Sequence, residues 1–173
     1  YAGVAVAHGR VYLLDYDQTL GQDLLRCFSL DDGQALWQLG YPVKVKRNHG
    51  YSRTVPMVAG KTVISMGPKC HVLAADALSG DFLWGLDLVS AEGTVVPPWY
   101  AGQCPLVVED RLFLAPAGQH LLVALNPRTG EQLWATANTP GWQMTHSSLL
   151  PVTIGGVAQV VYCGSGGVAG VAR

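Results

Sequence analysis

The sequence predicts an all-β protein, a β-propeller built from four-stranded antiparallel blades. The chain of 173 residues has 21 glycines and 10 prolines among apolar residues rich in Val, Leu and Ala. This composition is typical of short strands joined by frequent turns. A segment that ends in Leu-Trp occurs three times, and its tryptophans, Trp37, Trp84 and Trp134, are 47 and 50 residues apart. A period of about fifty residues is the size of one propeller blade.

Each repeat has a glycine four residues before its tryptophan. Glycine adopts positive φ freely, so we expect it at the left-handed position of a tight turn before the last strand. A large ring at the same position in every repeat indicates a packing role. We therefore expect each tryptophan to lie between its own blade and a neighbour. The turn glycines are Gly33, Gly80 and Gly130.

The other strands, called A to D within each repeat, are predicted where turn residues precede runs of β-branched or aromatic residues. Strand D starts three residues after each turn glycine. The predicted strands A to C of the three repeats cover 2–7, 9–14 and 24–30, then 54–58, 60–65 and 71–76, then 104–108, 110–115 and 120–126.

A fourth repeat begins at Ser147 and ends within its third strand. We therefore expect one partial propeller over 1–173, about three and a half blades of a seven- or eight-bladed ring. Its two end faces should be apolar, and we expect the remainder of a larger chain or another chain to cover them. The blades are predicted over approximately 1–43, 44–90, 91–140 and 141–173.

Neither a nucleic-acid partner nor a transmembrane helix is indicated by the charge and hydropathy of the chain. The net charge of −1 gives no basic footprint for nucleic acid, and the alternating Val43–Arg47 stretch is typical of a solvated strand or loop. No apolar run approaches the roughly eighteen residues of a transmembrane helix. No signal peptide is visible, but the chain starts with Tyr1 rather than Met, so its export stays open.

The cysteines and carboxylates show no regular metal-ligand spacing. An even number of cysteines permits two disulfides, but buried free thiols are the preferred interpretation. Most carboxylates fall in the repeated turns. The string Asp15 to Asp23 is predicted to be an expanded connection between strands B and C, and a solvated loop is favoured there over a cation site. We predict no metal site.

The connections from strand D to the next strand A concentrate aromatic, basic and amide side chains. They are Arg47 to Thr54, Pro97 to Cys104 and Pro140 to Ser147, and in a propeller all three emerge on one face beside the channel. Such side chains on a rigid rim are suited to binding, although they are also common in ordinary loops. The candidate ligand-binding residues are Tyr51, Arg53, Trp99, Gln103, Trp142 and His146.

The repeated pattern in residues 75–84 and 125–134, Ala/Leu-Asp/Asn-x-x-x-Gly-x-x-Leu-Trp, resembles the tryptophan-docking motif of pyrroloquinoline-quinone-type (PQQ-type) propellers. The first repeat departs from this pattern, because Leu30-Asp31 is followed directly by Asp32-Gly33, which predicts a shorter turn. The family includes quinoprotein alcohol dehydrogenases and non-catalytic relatives, among them a lipoprotein of the outer-membrane β-barrel assembly machinery. The resemblance implies a periplasmic or extracellular location.

The leading hypothesis for function is a non-enzymatic scaffold that presents its rim loops to a protein or small ligand. The alternative is a fragment of a PQQ-dependent dehydrogenase, in which PQQ and Ca²⁺ would be held mostly by residues of other blades. The sequence has no adjacent cysteine pair of the kind that such dehydrogenases often carry. A purely structural module of a larger assembly is a third hypothesis.

Overall fold

Four antiparallel sheets follow one another along the chain. The computed structural model describes residues 3–46 and 51–173, and within them fifteen strands form these sheets. The strands of each sheet lie side by side in sequence order, as in propeller blades. The all-β prediction is confirmed. Residue 2 of the first predicted strand and residues 47–50 of the first predicted connection lie outside the described residues.

The strand bounds agree with the repeat. The first sheet contains β1 (Ala5–Ala7), β2 (Arg10–Asp17), β3 (Gln22–Ser29) and β4 (Ala35–Pro42). The second contains β5 (Met57–Ala59), β6 (Thr62–Met66), β7 (His71–Asp76) and β8 (Phe82–Asp87). The third contains β9 (Leu106–Val108), β10 (Arg111–Leu114), β11 (His120–Leu125) and β12 (Gln132–Ala137). The fourth has three strands, β13 (Leu150–Ile154), β14 (Val157–Gly164) and β15 (Gly167–Ala172).

A single short helix, α1 (Leu88–Glu92), interrupts the strands of the described residues and was not predicted from the sequence. The Asp87 side chain caps its N-terminus by accepting from the Val89 N–H, and Gly93 ends it with a φ of 68°. Both are standard helix-end devices. The five residues are too few to show an apolar period, so the pattern of the sequence could not reveal them.

Two of the repeated tryptophans bridge consecutive sheets. Trp37 Nε1 donates a hydrogen bond to Ala77 O at 3.3 Å, and Trp84 Nε1 donates to Pro127 O at 3.0 Å. The acceptors are the equivalent carbonyls of the next sheet's turn. Each indole therefore joins its own outer strand to the following blade, which is where the sequence places it.

Both indole rings also lie against the turn glycine of the next sheet. A Cβ added at Gly80 would lie 2.6 Å from Trp37 Cδ2, and one added at Gly130 would lie 2.8 Å from Trp84 Cδ2. These glycines have φ values of 80° and 73°. Glycine is thus required at these turns both by the left-handed backbone and by the ring above it.

The turn of the first repeat has the same length as the others, contrary to the sequence prediction. Gly33 N donates to Ser29 O and Ser29 N donates to Gln34 O, as Gly80 N and Asp76 N do with their own partners in the second repeat. Ser29 stands where the later repeats have Asp76 and Asn126. The first repeat therefore lacks the Asp or Asn of the pattern but keeps the geometry of the turn.

The end faces of the sheet array carry exposed apolar side chains. On the first sheet, Val6 is 56% and Leu36 is 46% exposed. On the fourth, Leu150 is 59% and Val168 is 68% exposed. The strand register puts the last two on the face opposite the buried Tyr162, which belongs to the core shared with the third sheet.

Candidate functional site

The connections between consecutive sheets emerge together at one end of the strands. We call this end the rim and its three segments, 43–56, 88–105 and 138–149, the rim connections. The β2–β3, β6–β7 and β10–β11 turns lie at the same end, because the strands alternate in direction. The candidate binding residues of the sequence analysis all belong to these three connections.

Tyr100 links the three rim connections. Its hydroxyl accepts a hydrogen bond from Lys46 N at 2.7 Å, and its carbonyl oxygen lies 2.9 Å from His146 Nε2. Its own N–H donates to Pro97 O at 2.8 Å. Tyr100 has a φ of 66°, a left-handed conformation that is unfavourable for a bulky residue and persists only where the surroundings impose it. The sequence analysis did not select this residue.

A second set of contacts ties the same connections nearer to the sheets. Val55 N donates to Cys104 Sγ at 3.2 Å, and Cys104 N donates to Ser148 Oγ at 3.0 Å. The described parts of the three connections are therefore joined twice, once through Tyr100 and once through Cys104. They form a continuous surface instead of three independent loops.

Two of the predicted site residues are exposed on this surface. Trp99 is 50% exposed, and His146 is exposed while its ring packs on Gly102. Because His146 bonds to the carbonyl of Tyr100, the residue that follows Trp99, the structure brings these two candidates into one neighbourhood.

Three other predicted site residues, Tyr51, Arg53 and Trp142, are partly buried against the rest of the chain. Tyr51 stacks on Tyr16 of β2 with ring centroids 5.1 Å apart, and Arg53 is half-buried. Trp142 receives a hydrogen bond at its carbonyl from Asn138 Nδ2 and donates one from its N–H to Asn138 Oδ1. Its ring covers the β14–β15 turn.

Gln103 is fully buried and supports the third sheet. Its Oε1 accepts from Ala115 N at 2.8 Å, and its Nε2 donates to Ala115 O at 3.2 Å. The amide thus satisfies both backbone groups of a residue that follows β10. The sequence analysis selected Gln103 as a candidate ligand contact, and in this structure its side chain is fully buried, with 0% exposure.

Asp23 is a buried carboxylate beneath the first rim connection. Ser52 Oγ donates to it at 2.7 Å, and the Tyr41 hydroxyl donates at 3.0 Å. Its side chain is 1% exposed. Burial raises the pKa of Asp23 to about 6, although the two hydroxyl donors act to lower it. Burial and the nearby Asp23 carboxylate also raise the pKa of Tyr41.

This placement corrects the sequence interpretation of Asp15 to Asp23 as one solvated connection. β2 extends to Asp17 and β3 begins at Gln22, so only residues 18–21 form the turn. Asp15 forms an ion pair with Arg26 at 3.2 Å, and Asp17 accepts from two backbone N–H groups of the turn. Each carboxylate therefore has a structural partner within the chain.

The raised pKa of Asp23 predicts a pH-dependent stability. The folded state holds this proton more tightly than the unfolded chain, whose value is 3.8, so the contribution of Asp23 is largest at low pH. It falls as the pH rises from about 4 through about 6, by up to roughly 3 kcal/mol. Urea unfolding at a series of pH values should show this fall in the native protein and a flatter profile in Asp23→Asn. An unchanged slope in the variant would contradict the assignment.

The described residues offer no preformed site for the cation that would accompany a bound quinone. They contain no group of three or more His, Cys, Asp or Glu side chains arranged to hold a metal ion. The carboxylates nearest the rim already have partners, as Asp17, Asp23 and Asp87 do in a turn, a buried cluster and a helix cap. Cys27, Cys70, Cys104 and Cys163 are free thiols.

Within residues 3–46 and 51–173, no helix has the length and apolar character needed to cross a bilayer.

Comparison with known proteins gives a family and a fold. The family profile described as "Outer membrane protein assembly factor BamB" matches residues 21–173. The comparison with curated proteins finds no significant match. Among solved structures, BamB from Moraxella catarrhalis has 17% identity and a TM-score of 0.64, over 98% of this chain and 44% of that one.

Two enzymes share the fold to a similar degree. Quinohemoprotein alcohol dehydrogenase ADHIIG from Pseudomonas putida HK5 has 21% identity and a TM-score of 0.66, over 99% of this chain and 32% of that one. The quinohemoprotein alcohol dehydrogenase from Comamonas testosteroni has 19% identity and a TM-score of 0.65, over 99% and 33%. The chain therefore spans less than half the length of these structures, and at such identities the likeness concerns the fold alone.

Proposed function

Since the chain belongs to the family of outer membrane protein assembly factor BamB, we propose that it is a non-enzymatic propeller scaffold that presents its rim to a protein partner. The partner is a component of outer-membrane protein assembly, in keeping with the family's description. The site of action is outside the cytoplasm, in the periplasm or the extracellular space.

The observation that carries this proposal is the linked rim. Tyr100 joins all three rim connections through Lys46 and His146, and beside it Trp99 is half exposed. Exposed tryptophans on a rigid surface are frequent anchors of protein interfaces, because they bury a large area with little loss of side-chain freedom. The described parts of the rim are held together by these contacts and are to that extent preorganised for a partner.

Completion of the ring by further blades, on this chain or another, is part of the same proposal. Gly33 has a φ of 72°, like the turn glycines that lie beneath Trp37 and Trp84. A Cβ added at Gly33 meets no described atom within 4 Å. The first turn thus has both the backbone geometry and the space for an indole from another blade, with Leu30 O as the equivalent acceptor.

Site-specific photo-crosslinking in cells that produce the protein tests the scaffold function. A photoreactive phenylalanine at position 99 or 146 should crosslink to one defined partner that mass spectrometry identifies. The matched control is position 61 on the opposite face, where Lys61 is also exposed, and it should give no such product. Equal crosslinking from both faces, or a different set of proteins at 99 and 146, would count against the proposal.

The alternative is a portion of a PQQ-dependent dehydrogenase, favoured by the shared fold of the two alcohol dehydrogenases. Under this alternative the groups that hold PQQ and Ca²⁺ would lie mostly in other blades, in keeping with the absence of a cluster of metal-ligating side chains among the described residues. Dye reduction by the protein that depends on added PQQ, Ca²⁺ and an alcohol would select the enzyme over the scaffold.

A further inference from the structure

The turns between strands A and B lie at the end of the sheets opposite the rim, and in two of them the first residue contacts the following sheet. His8 of the β1–β2 turn has its Nε2 2.7 Å from Gly60 O of the second sheet. Glu109 of the β9–β10 turn forms an ion pair at 2.7 Å with Arg173, which follows β15 of the fourth sheet. Side chains of these turns therefore bridge the first sheet to the second and the third to the fourth.

Gly60 has the same turn position in the second sheet and has no side chain with which to reach the third sheet. Its φ of 57° is close to the 53° of His8 and the 51° of Glu109, so this backbone also accommodates residues with side chains. A Cβ added at Gly60 would meet no described atom within 4 Å. Neither the backbone nor the packing of the turn excludes a side chain here, and the glycine leaves the space beside it open.

The open space is a cleft of about 340 Å³ between the second and third sheets. Ligand sites in proteins usually have volumes of about 300–1,000 Å³. Lys61 lines the cleft from the second sheet, and Asp110 and Arg128 line it from the third. Pro127 also lines it, and the carbonyl of this buried residue accepts from Trp84 Nε1 at 3.0 Å. One wall of the cleft is therefore fixed by the contact that joins the two sheets.

The charged side chains that line the cleft have no direct partner. Within residues 3–46 and 51–173, no ion pair or side-chain hydrogen bond includes the charged group of Lys61, Asp110 or Arg128. Asp76 lies near Lys61, but it does not line the cleft and its carboxylate accepts from two backbone N–H groups of its own turn. Two cations and one carboxylate thus border the same cleft without contact between them.

This combination of charges is specific to the second and third sheets. Between the first and second sheets the corresponding positions hold Gly9, Lys61 and Leu78, where the cleft has Lys61, Asp110 and Arg128. Only one of those three residues is charged. The charged cleft is therefore not a property of the repeat, which would place the same residue types between every pair of sheets.

We propose that this cleft binds a small zwitterion of the dipeptide type, with its carboxylate at Lys61 and Arg128 and its ammonium group at Asp110. A ligand with a carboxylate alone would be attracted by the two cations and repelled by Asp110, and a ligand with an ammonium group alone would meet the reverse. A ligand that carries both groups matches all three side chains, and a guanidinium can bind a carboxylate through two parallel hydrogen bonds. Because the cleft lies at the end opposite the rim, the inference goes beyond the scaffold function and does not depend on it.

Titration of the ¹⁵N-labelled protein with alanyl-alanine, followed by two-dimensional NMR in a buffer without zwitterions, tests this chemistry. We expect saturable shifts of the backbone amide signals of Gly60, Lys61 and Arg128. Two matched ligands each lack one charge: acetyl-alanyl-alanine has no ammonium group, and alanyl-alaninamide has no carboxylate. Each should bind at least about threefold more weakly than alanyl-alanine, the effect of losing one exposed ion pair.

A side chain at Gly60 locates the site. Gly60→His gives the second sheet the residue that the first sheet has at this turn position, and it should weaken the dipeptide by at least about tenfold because the imidazole occupies the cleft. Gly155→His is the matched control. Gly155 is the first residue of the β13–β14 turn, with a φ of 59° and no described atom within 4 Å of an added Cβ, and it does not line the cleft. This variant should keep the affinity within about twofold.

Arg128→Gln tests the charge without a change at a turn glycine. The side chain is exposed, so we expect a folded protein that binds alanyl-alanine at least about threefold more weakly. Circular dichroism and urea unfolding establish that each variant is folded before its affinity is compared. If Gly60→His does not fold, Arg128→Gln and the two singly charged ligands decide the question.

Four results would overturn the inference: no saturable shifts at the cleft, equal affinity for the singly charged ligands, equal weakening by Gly60→His and Gly155→His, or an unchanged affinity in Arg128→Gln. The scaffold function is measured separately, because crosslinks from positions 99 and 146 report on the opposite end of the sheets. A defined crosslinked partner together with any of these four results would leave the scaffold function standing and remove only the zwitterion site.

Discussion

Replacing Trp84 with Ala should lower the free energy of unfolding by roughly 3–5 kcal/mol, the usual range for removal of a buried large aromatic ring. Trp84 is 8% exposed, and its ring fills the space between the second and third sheets against Gly130. The substitution removes this packing and also leaves Pro127 O without the indole donor at 3.0 Å. Urea unfolding followed by far-ultraviolet circular dichroism measures the loss.

Trp37→Ala provides the comparison within the same chain. Its ring makes the equivalent contact, but it is half-buried and its hydrogen bond is longer, at 3.3 Å. We therefore expect a smaller loss than at Trp84. A loss at Trp84 below about 1.5 kcal/mol would show that this indole contact does not hold consecutive sheets together. A larger loss at Trp37 than at Trp84 would contradict the expected ranking by burial.

Alanine substitutions at two turn glycines distinguish the free-energy cost of the left-handed backbone from the cost of contact with a tryptophan ring. Gly33 and Gly130 have nearly the same φ, 72° and 73°, but only Gly130 lies beneath a tryptophan. Alanine at Gly33 should therefore cost about 1 kcal/mol for the left-handed backbone, and alanine at Gly130 should cost distinctly more. Equal costs would mean that the Trp84 ring moves away without penalty.

The sheets could be predicted from the sequence because the same residue pattern occurs several times along the chain. β7 runs from His71 to Asp76 as predicted, and the other strands differ from their predictions by a few residues. A fifty-residue repeat limits the fold much more strongly than the propensity of any one strand. The first turn differs from its prediction because Ser29 occupies the position that is Asp76 or Asn126 in the later repeats.

The burial of single polar residues could not be predicted in the same way. Asp23 is buried because Ser52, which is 29 positions away, and Tyr41 cover it with hydroxyl groups. α1 escaped prediction because its ends depend on one cap and one glycine. These features depend on contacts between segments, and a one-dimensional pattern records only the residue type.

The rim itself was predicted, but its organisation was not. Chemistry selected Trp99 and His146, which lie in one neighbourhood, and it missed Tyr100 between them. Tyr100 acts through its hydroxyl and its backbone carbonyl, on partners that are 54 and 46 positions away. Neither interaction has a sequence signal. Every residue has a carbonyl, and the residue type of a tyrosine does not reveal which distant N–H its hydroxyl will contact.

Replacing Gln103 with Leu should also cost several kcal/mol of stability. Leucine has a similar volume, so the change chiefly removes the two hydrogen bonds to Ala115. The Ala115 N–H and C=O then stay buried without partners, and each such group costs about 1–3 kcal/mol. We expect a total loss of roughly 2–6 kcal/mol by urea unfolding.

Gln143→Leu is the matched control, because Gln143 lies on the third rim connection and its side chain is exposed. It should change stability by no more than about 0.5 kcal/mol. Together the two variants distinguish a structural role of Gln103 from a role in ligand binding. If Gln103 were a ligand-binding residue, its leucine variant would unfold normally and lose only partner binding. Since its amide is fully buried against the backbone after β10, we expect the reverse: the fold weakens, and binding falls only in proportion to the folded fraction.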